Sequence, residues 1–124
     1  MKIVIAGSRH FTNYECAEKF IDDCLLQLCI NEEVIVLSGT CRGADKLGEL
    51  YASKHSLTIK FYPPEWSKYG KGAGVIRNQE MAEYCDVIIC FWDGKSKGTK
   101  ALIDYGNKLK KPLFVYPITP NIST

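Results

Sequence analysis

Five short apolar runs, at residues 3–6, 34–37, 57–62, 87–91 and 113–116, constrain this chain more than any other feature of its sequence. Each is rich in β-branched or aromatic residues and alternates little, as strands covered on both faces do. Four segments with helical spacing lie between them. Ala17, Phe20, Ile21, Cys24, Leu25 and Leu28 form the first stripe, and Ala44, Leu47, Gly48, Tyr51 and Ala52 the second. Val75, Ile76, Gln79 and Ala82 form the third, and Gly98, Ala101, Leu102, Tyr105 and Leu109 the fourth. Thr12 and Glu15 predict a capping box at the start of the first helix. Strands alternating with helices, joined by right-handed crossovers, give a parallel sheet with helices on both faces. The expected fold is α/β: a single Rossmann-like three-layer sandwich around a parallel five-stranded sheet. Residues 1–117 are expected to form this domain and 118–124 a flexible tail.

Composition narrows the function classes. The chain has 124 residues, 46% hydrophobic and 24% charged, with a net charge of only +2. Proteins of long nucleic acids usually carry a strongly basic total or face, so this balance argues against such a partner and confines any basic site to one locality. The longest apolar runs are about five residues, far too short to span a membrane. No signal-peptide core follows Lys2, and most of the six cysteines fall on apolar faces, where a reduced thiol packs as a small hydrophobe. No C-x-x-C pair occurs, so neither a metal nor a disulfide framework is expected. The reading is a reduced, cytoplasmic protein without metal or cofactor.

In open parallel sheets ligands bind beyond the carboxyl ends of the strands, where strand order reverses. The loops there are Gly7-Ser8-Arg9-His10, the stretch 38–45, the stretch 63–74 and the stretch 93–99, and they hold most of the glycines. The second and fourth each combine glycines, a basic side chain and the start of a helix. Glycine lets backbone approach a ligand, and a helix start offers free amides and a positive dipole end. Two such loops converging on one edge suit a phosphate or pyrophosphate. Gly94-Lys95-Ser96 mimics the end of a Walker loop, but Ile89 stands where its first glycine belongs. Gly70, Gly72 and Gly74 lack dinucleotide-fingerprint spacing and read as a flexible lead into the third helix. Arg77, with Asn78, falls near the start of that helix, where a cation opposes the dipole, so a ligand role is expected for it. Trp66 and Tyr69 suit base stacking or loop packing, Cys41 a structural thiol, and His55 a dipole complement.

Taken together, Arg77-Asn78-Gln79-Glu80-Met81, Cys85-Asp86, the strand after them and Gly94-x-x-x-Gly98-Thr99 resemble the SLOG superfamily. That group joins the Lonely Guy phosphoribohydrolases with the DNA-processing Smf/DprA proteins. Gly7-Ser8-Arg9-x-Phe11, Gly43-Ala44-Asp45 and Gly72-Ala73-Gly74 look most like its small YspA-like branch. The resemblance implies a Rossmann-like fold and a nucleotide-like ligand, with Arg77, Gly94, Gly98 and Thr99 around phosphate and ribose. It also shows a departure. Leu102 stands where Lonely Guy enzymes carry a catalytic glutamate, three residues past Thr99.

The candidate ligand-binding residues are therefore Gly7, Ser8, Arg9, Gly39, Arg42, Gly43, Asp45, Arg77, Asn78, Asp93, Gly94, Ser96, Gly98 and Thr99. The leading expectation is a sensor or sequestering protein for a nucleotide or nucleotide derivative, such as an ADP-ribose-like molecule or a cyclic nucleotide. One alternative is hydrolysis of an N-glycosidic or phosphate bond with Asp93 or Asp45 as acid or base. A second is single-stranded DNA binding, as on the Smf/DprA side. Since relatives of this kind commonly dimerise, a homodimer or higher homo-oligomer is carried as an expectation.

Overall fold

The computed structural model describes residues 1–118, so most of the expected tail, residues 119–124, lies outside the described residues. All five apolar runs are strands: β1 (Lys2–Gly7), β2 (Ile35–Ser38), β3 (Thr58–Phe61), β4 (Val87–Trp92) and β5 (Leu113–Pro117). They form one parallel sheet in the order β3-β2-β1-β4-β5. Ile118 extends the pairing, its amide donating to the Trp92 carbonyl at 2.8 Å. Four long helices cover the sheet: α1 (Tyr14–Leu28), α2 (Ala44–Lys54), α4 (Ala73–Tyr84) and α5 (Lys97–Lys108). The short α3 (Trp66–Tyr69), followed by a 3-10 turn at Gly70–Gly72, joins β3 to α4 where the glycines suggested only a flexible lead.

Side chains on a strand alternate between its two faces, and β1 shows both being buried. Ile3 and Ile5 join the core under α1 and α2, with Ile21, Leu47 and Tyr51. Val4 and Ala6 join the opposite core, under α4 and α5, with Met81, Leu102 and Ile103. That is why the central runs read as continuously apolar. The expectation of cover on both faces fails at the sheet edge, where Thr58, Lys60 and Phe61 of β3 are exposed.

Helix α1 begins one residue later than the capping-box reading places it. Asn13, not Thr12, is the N-cap, and its side chain accepts from the Cys16 amide at 3.0 Å. The helix ends at Cys29, which takes a left-handed conformation with φ 52°. Just before α1, Phe11 stacks on Phe91 at the end of β4 with ring centroids 5.0 Å apart. Phe20 and Tyr116 complete an aromatic cluster around Phe91. Such stacked pairs add about 0.5–1.5 kcal/mol beyond area burial. Here the contact fixes the loop after β1 above the end of β4.

Candidate functional site

Strand order reverses between β1 and β4, and a cleft of about 430 Å³ opens at that point beyond their carboxyl ends. Every predicted site residue lines it except Gly39, Arg42, Gly43 and Gly94. Ala6, His10, Cys41, Lys95 and Leu102 line it too. Three of these five were legible by place, being in loops that directly follow strands. In the apolar floor, Leu102 was placed only by the family resemblance, and Ala6 was not legible because it belongs to the core stripe of a strand.

Backbone contacts lock the loops around the cleft. The Ser8 amide donates to the Phe91 carbonyl at 2.9 Å, clamping the loop after β1 onto β4. Ser8 in turn accepts from the Ala44 amide at 3.1 Å, which ties in the start of α2. Gly43 makes this approach possible. Its φ is +79°, and a Cβ there would stand 2.4 Å from the Ser8 carbonyl oxygen. Gly43 thus sits behind the cleft wall, where it holds two loops together.

Arg77 is buried, 8% exposed, in the second turn of α4. Its Nη1 donates to the carbonyls of Gly39 and Tyr62, the latter at 3.3 Å. Nε donates to Asn78 Oδ1 at 2.8 Å, and Nη2 reaches Cys41 Sγ at 3.7 Å. The dipole argument treats this cation as having no structural reason to be in the helix. The structure supplies one, because the guanidinium bridges the carboxyl ends of β2 and β3 and presents only part of itself to the cleft. Asp45 meets Arg77 beside Gly39, where an added Cβ would be 2.8 Å from Asp45 Oδ2 and 2.7 Å from Arg77 Nη1. Asp45 accepts from the Cys41 amide at 3.0 Å. Burial pushes its pKa up to about 6, against the pull of that amide and of Arg77.

The rim formed by the loop after β4 is arranged differently. Asp93 accepts from the amides of Ser96 and Lys95, both at 2.8 Å. These donors hold its carboxyl below the usual carboxylate range, so Asp93 shapes the turn and is poorly suited to donate a proton. Ser96 caps α5, its Oγ accepting from the Thr99 amide at 3.5 Å. Asn78 Nδ2 donates to the Gly98 carbonyl at 3.5 Å and joins α4 to the start of α5. Gly98 is exposed, and a Cβ there would meet nothing within 4 Å, so the first turn of α5 is open on this side. Arg9, His10 and Lys95 stand exposed around it. A helix N-terminus beside two cations is able to take an anion here, the Asp93 carboxylate being bound to the amides of its own turn. Leu102, 1% exposed, lies in the floor, so no carboxylate occupies that position.

Among the described residues no helix is long and apolar enough to cross a membrane, and no group of three or more His, Cys, Asp or Glu is placed to hold a metal ion.

A solved structure of DNA processing protein A from Helicobacter pylori, which concerns that protein's single-stranded DNA binding mode, shares the fold. The likeness covers 98% of this chain and 67% of that one, with a TM-score of 0.67 and 21% identity. It corrects two expectations. A free nucleotide or nucleotide derivative, sensed or sequestered, is displaced as the leading reading, and long nucleic acid can no longer be set aside as a partner. Net charge disfavours nucleic acid only by averaging over the whole surface. Here Arg9, Arg42, Lys68, Lys71, Lys95 and Lys97 are all exposed at the carboxyl edge, where Glu15 and Glu65 are the exposed acids.

The Gene 61 protein of Mycobacterium phage D29 is 30% identical over 93 residues, covering 70% of this chain and 74% of that protein. Residues 1–69, from β1 to the end of α3, match the YspA, cpYpsA-related SLOG family, and the chain belongs to that family.

Proposed function

We propose that the chain binds single-stranded nucleic acid at its carboxyl edge, with one backbone phosphate in the cleft between β1 and β4. The observation that carries this reading is the rim of that cleft. Arg9 and Lys95 flank the open first turn of α5, the charge pattern a phosphodiester needs. The likeness to a protein studied for its single-stranded DNA binding supports the same partner. A concave cleft admits one strand's backbone, whereas reading a duplex takes an element that protrudes into a groove. The floor offers Leu102, Asp93 on the rim is bound in its own turn, and buried Asp45 is engaged by the Cys41 amide, which favours holding a ligand over cleaving it.

The test is fluorescence anisotropy with labelled oligo(dT) and a duplex of equal length, between 50 and 200 mM salt. Binding is expected to favour the single strand and to weaken with salt, log K falling by about 0.7 per phosphate contact in log salt. No binding at 50 mM salt, or equal affinity for the duplex, would overturn the proposal.

A further inference from the structure

Of the two aromatic side chains of α3, Trp66 is the less packed. Trp66 is 56% exposed and Tyr69 36%, at the same edge of the sheet as the cleft. Trp66 leans on the first turn of α4: a Cβ on Gly74 would stand 3.9 Å from the indole Cη2. Asn78, which lines the cleft, follows Gly74 by four residues on the same helix. Residues so spaced are neighbours, with Cβ atoms about 5–6 Å apart. The indole therefore stands about one helical turn from the cleft. Lys68 and Lys71 are exposed in the same segment, the first with Nζ 5.0 Å from the Tyr69 ring centroid. Tyr84, also exposed, differs in being covered already by Lys2 and Lys60, at 4.6 and 4.2 Å from its centroid.

We infer that α3 is a base-stacking platform. Trp66 receives the base of the nucleotide next to the one whose phosphate occupies the cleft, and Lys68 and Lys71 lie beside the sugar–phosphate backbone. The inference rests on the single-strand reading above and adds to it a second contact on a separate element. Stacking on an indole tolerates any base, since every base has a π-face, so the platform contributes affinity without sequence choice.

The probe is labelled oligo(dT), with a strand of equal length lacking bases as control. Trp66→Ala is expected to raise Kd for oligo(dT) by roughly five- to a hundredfold, and Trp66→Phe by much less. On the abasic strand Trp66→Ala should change nothing. In a Trp92→Phe background Trp66 is the sole tryptophan, and its fluorescence should be quenched as oligo(dT) saturates the protein. Exposure of Trp66 means its variants should fold, and melting curves check this; Trp92→Phe removes the indole donor to the Ser96 carbonyl, so the quenching test requires that this background melt and bind oligo(dT) as the parent does. If the parent chain binds oligo(dT) while Trp66→Ala binds equally well without quenching in the sole-tryptophan protein, the platform is wrong and the cleft reading stands. An equal loss on the abasic strand also overturns the platform. If the parent binds neither strand, both readings fall.

Discussion

The guanidinium of Arg77 donates to the carbonyl of Gly39, 38 residues earlier in the chain, and so fastens α4 to the end of β2. Removing it leaves buried carbonyls without a donor. Hydrogen bonds to charged groups are worth about 1.5–3 kcal/mol, and Arg77→Ala is expected to cost that or slightly more. The melting temperature should fall by roughly 5–15 °C. Arg77→Lys should recover only part, because an ammonium cannot span two carbonyls as the planar fork does. Thermal melts of both variants check this, and an unchanged Arg77→Ala melting point would make the arginine a ligand group alone.

Asp45 is expected to make stability depend on pH. Its folded pKa, about 6, lies above the ordinary carboxylate value of 3.8. The folded state therefore holds the proton more tightly than the unfolded one. The associated stability is complete below about pH 4 and is lost as pH rises through 6. Asp45→Asn has no charge to bury and keeps an acceptor for the Cys41 amide. Relative to the parent, it should gain about 2–3 kcal/mol between pH 4 and 7. Urea unfolding of both proteins at several pH values measures the difference. A parallel pH dependence in the two proteins would contradict it.

Two glycines should behave oppositely. Gly43→Ala drives a Cβ into the Ser8 and Arg9 backbone from a positive φ, and is expected to cost about 3 kcal/mol or more. Gly98→Ala meets open space on a helical residue, so stability should hold or rise by up to about 1 kcal/mol. Its effect should appear in binding, as a methyl group where a phosphate would approach, with oligo(dT) affinity falling about tenfold or more. Melting curves and anisotropy on the same two variants separate the roles.

Arg9 and Lys95 are exposed and should matter only to the bound state. Each alanine replacement should weaken oligo(dT) binding and lower the salt slope by about 0.7, with the melting temperature unchanged. A weaker affinity at an unaltered slope would mean the side chain does not neutralise a phosphate.

How much of this was legible in the sequence depends on how local each cause is. The strands announced themselves because a buried parallel strand must be apolar along its length, and Val4 with Ile5 faces two different cores. The carboxyl-edge loops followed from the alternation of strands and helices, whereas the opening between β1 and β4 depends on the sheet order, which the sequence does not display. The structural role of Arg77 was not legible, since its carbonyl partners come from Gly39 and Tyr62, and nothing near Arg77 in sequence points to them. The N-cap slipped one residue because Thr12 and Asn13 are both competent caps, and only the backbone decides between them. Nor could the stretch before Gly70 be recognised as helical, since α3 is a single turn, too short for any periodicity to show.

The place of β1 at the centre of the sheet also sets the order of assembly. It pairs with β2 on one side early in the chain, but its other edge waits for β4, whose first residue is Val87. Contacts between such distant segments form slowly, and until they form an apolar strand edge stays open to wrong partners. Since one wall of the cleft follows β1 and the other follows β4, a nascent chain has no site until β1 and β4 pair. Ligand capture is therefore a readout of the β1–β4 pairing, and a chaperone that shields the free edge of β1 would be competing with β4 itself.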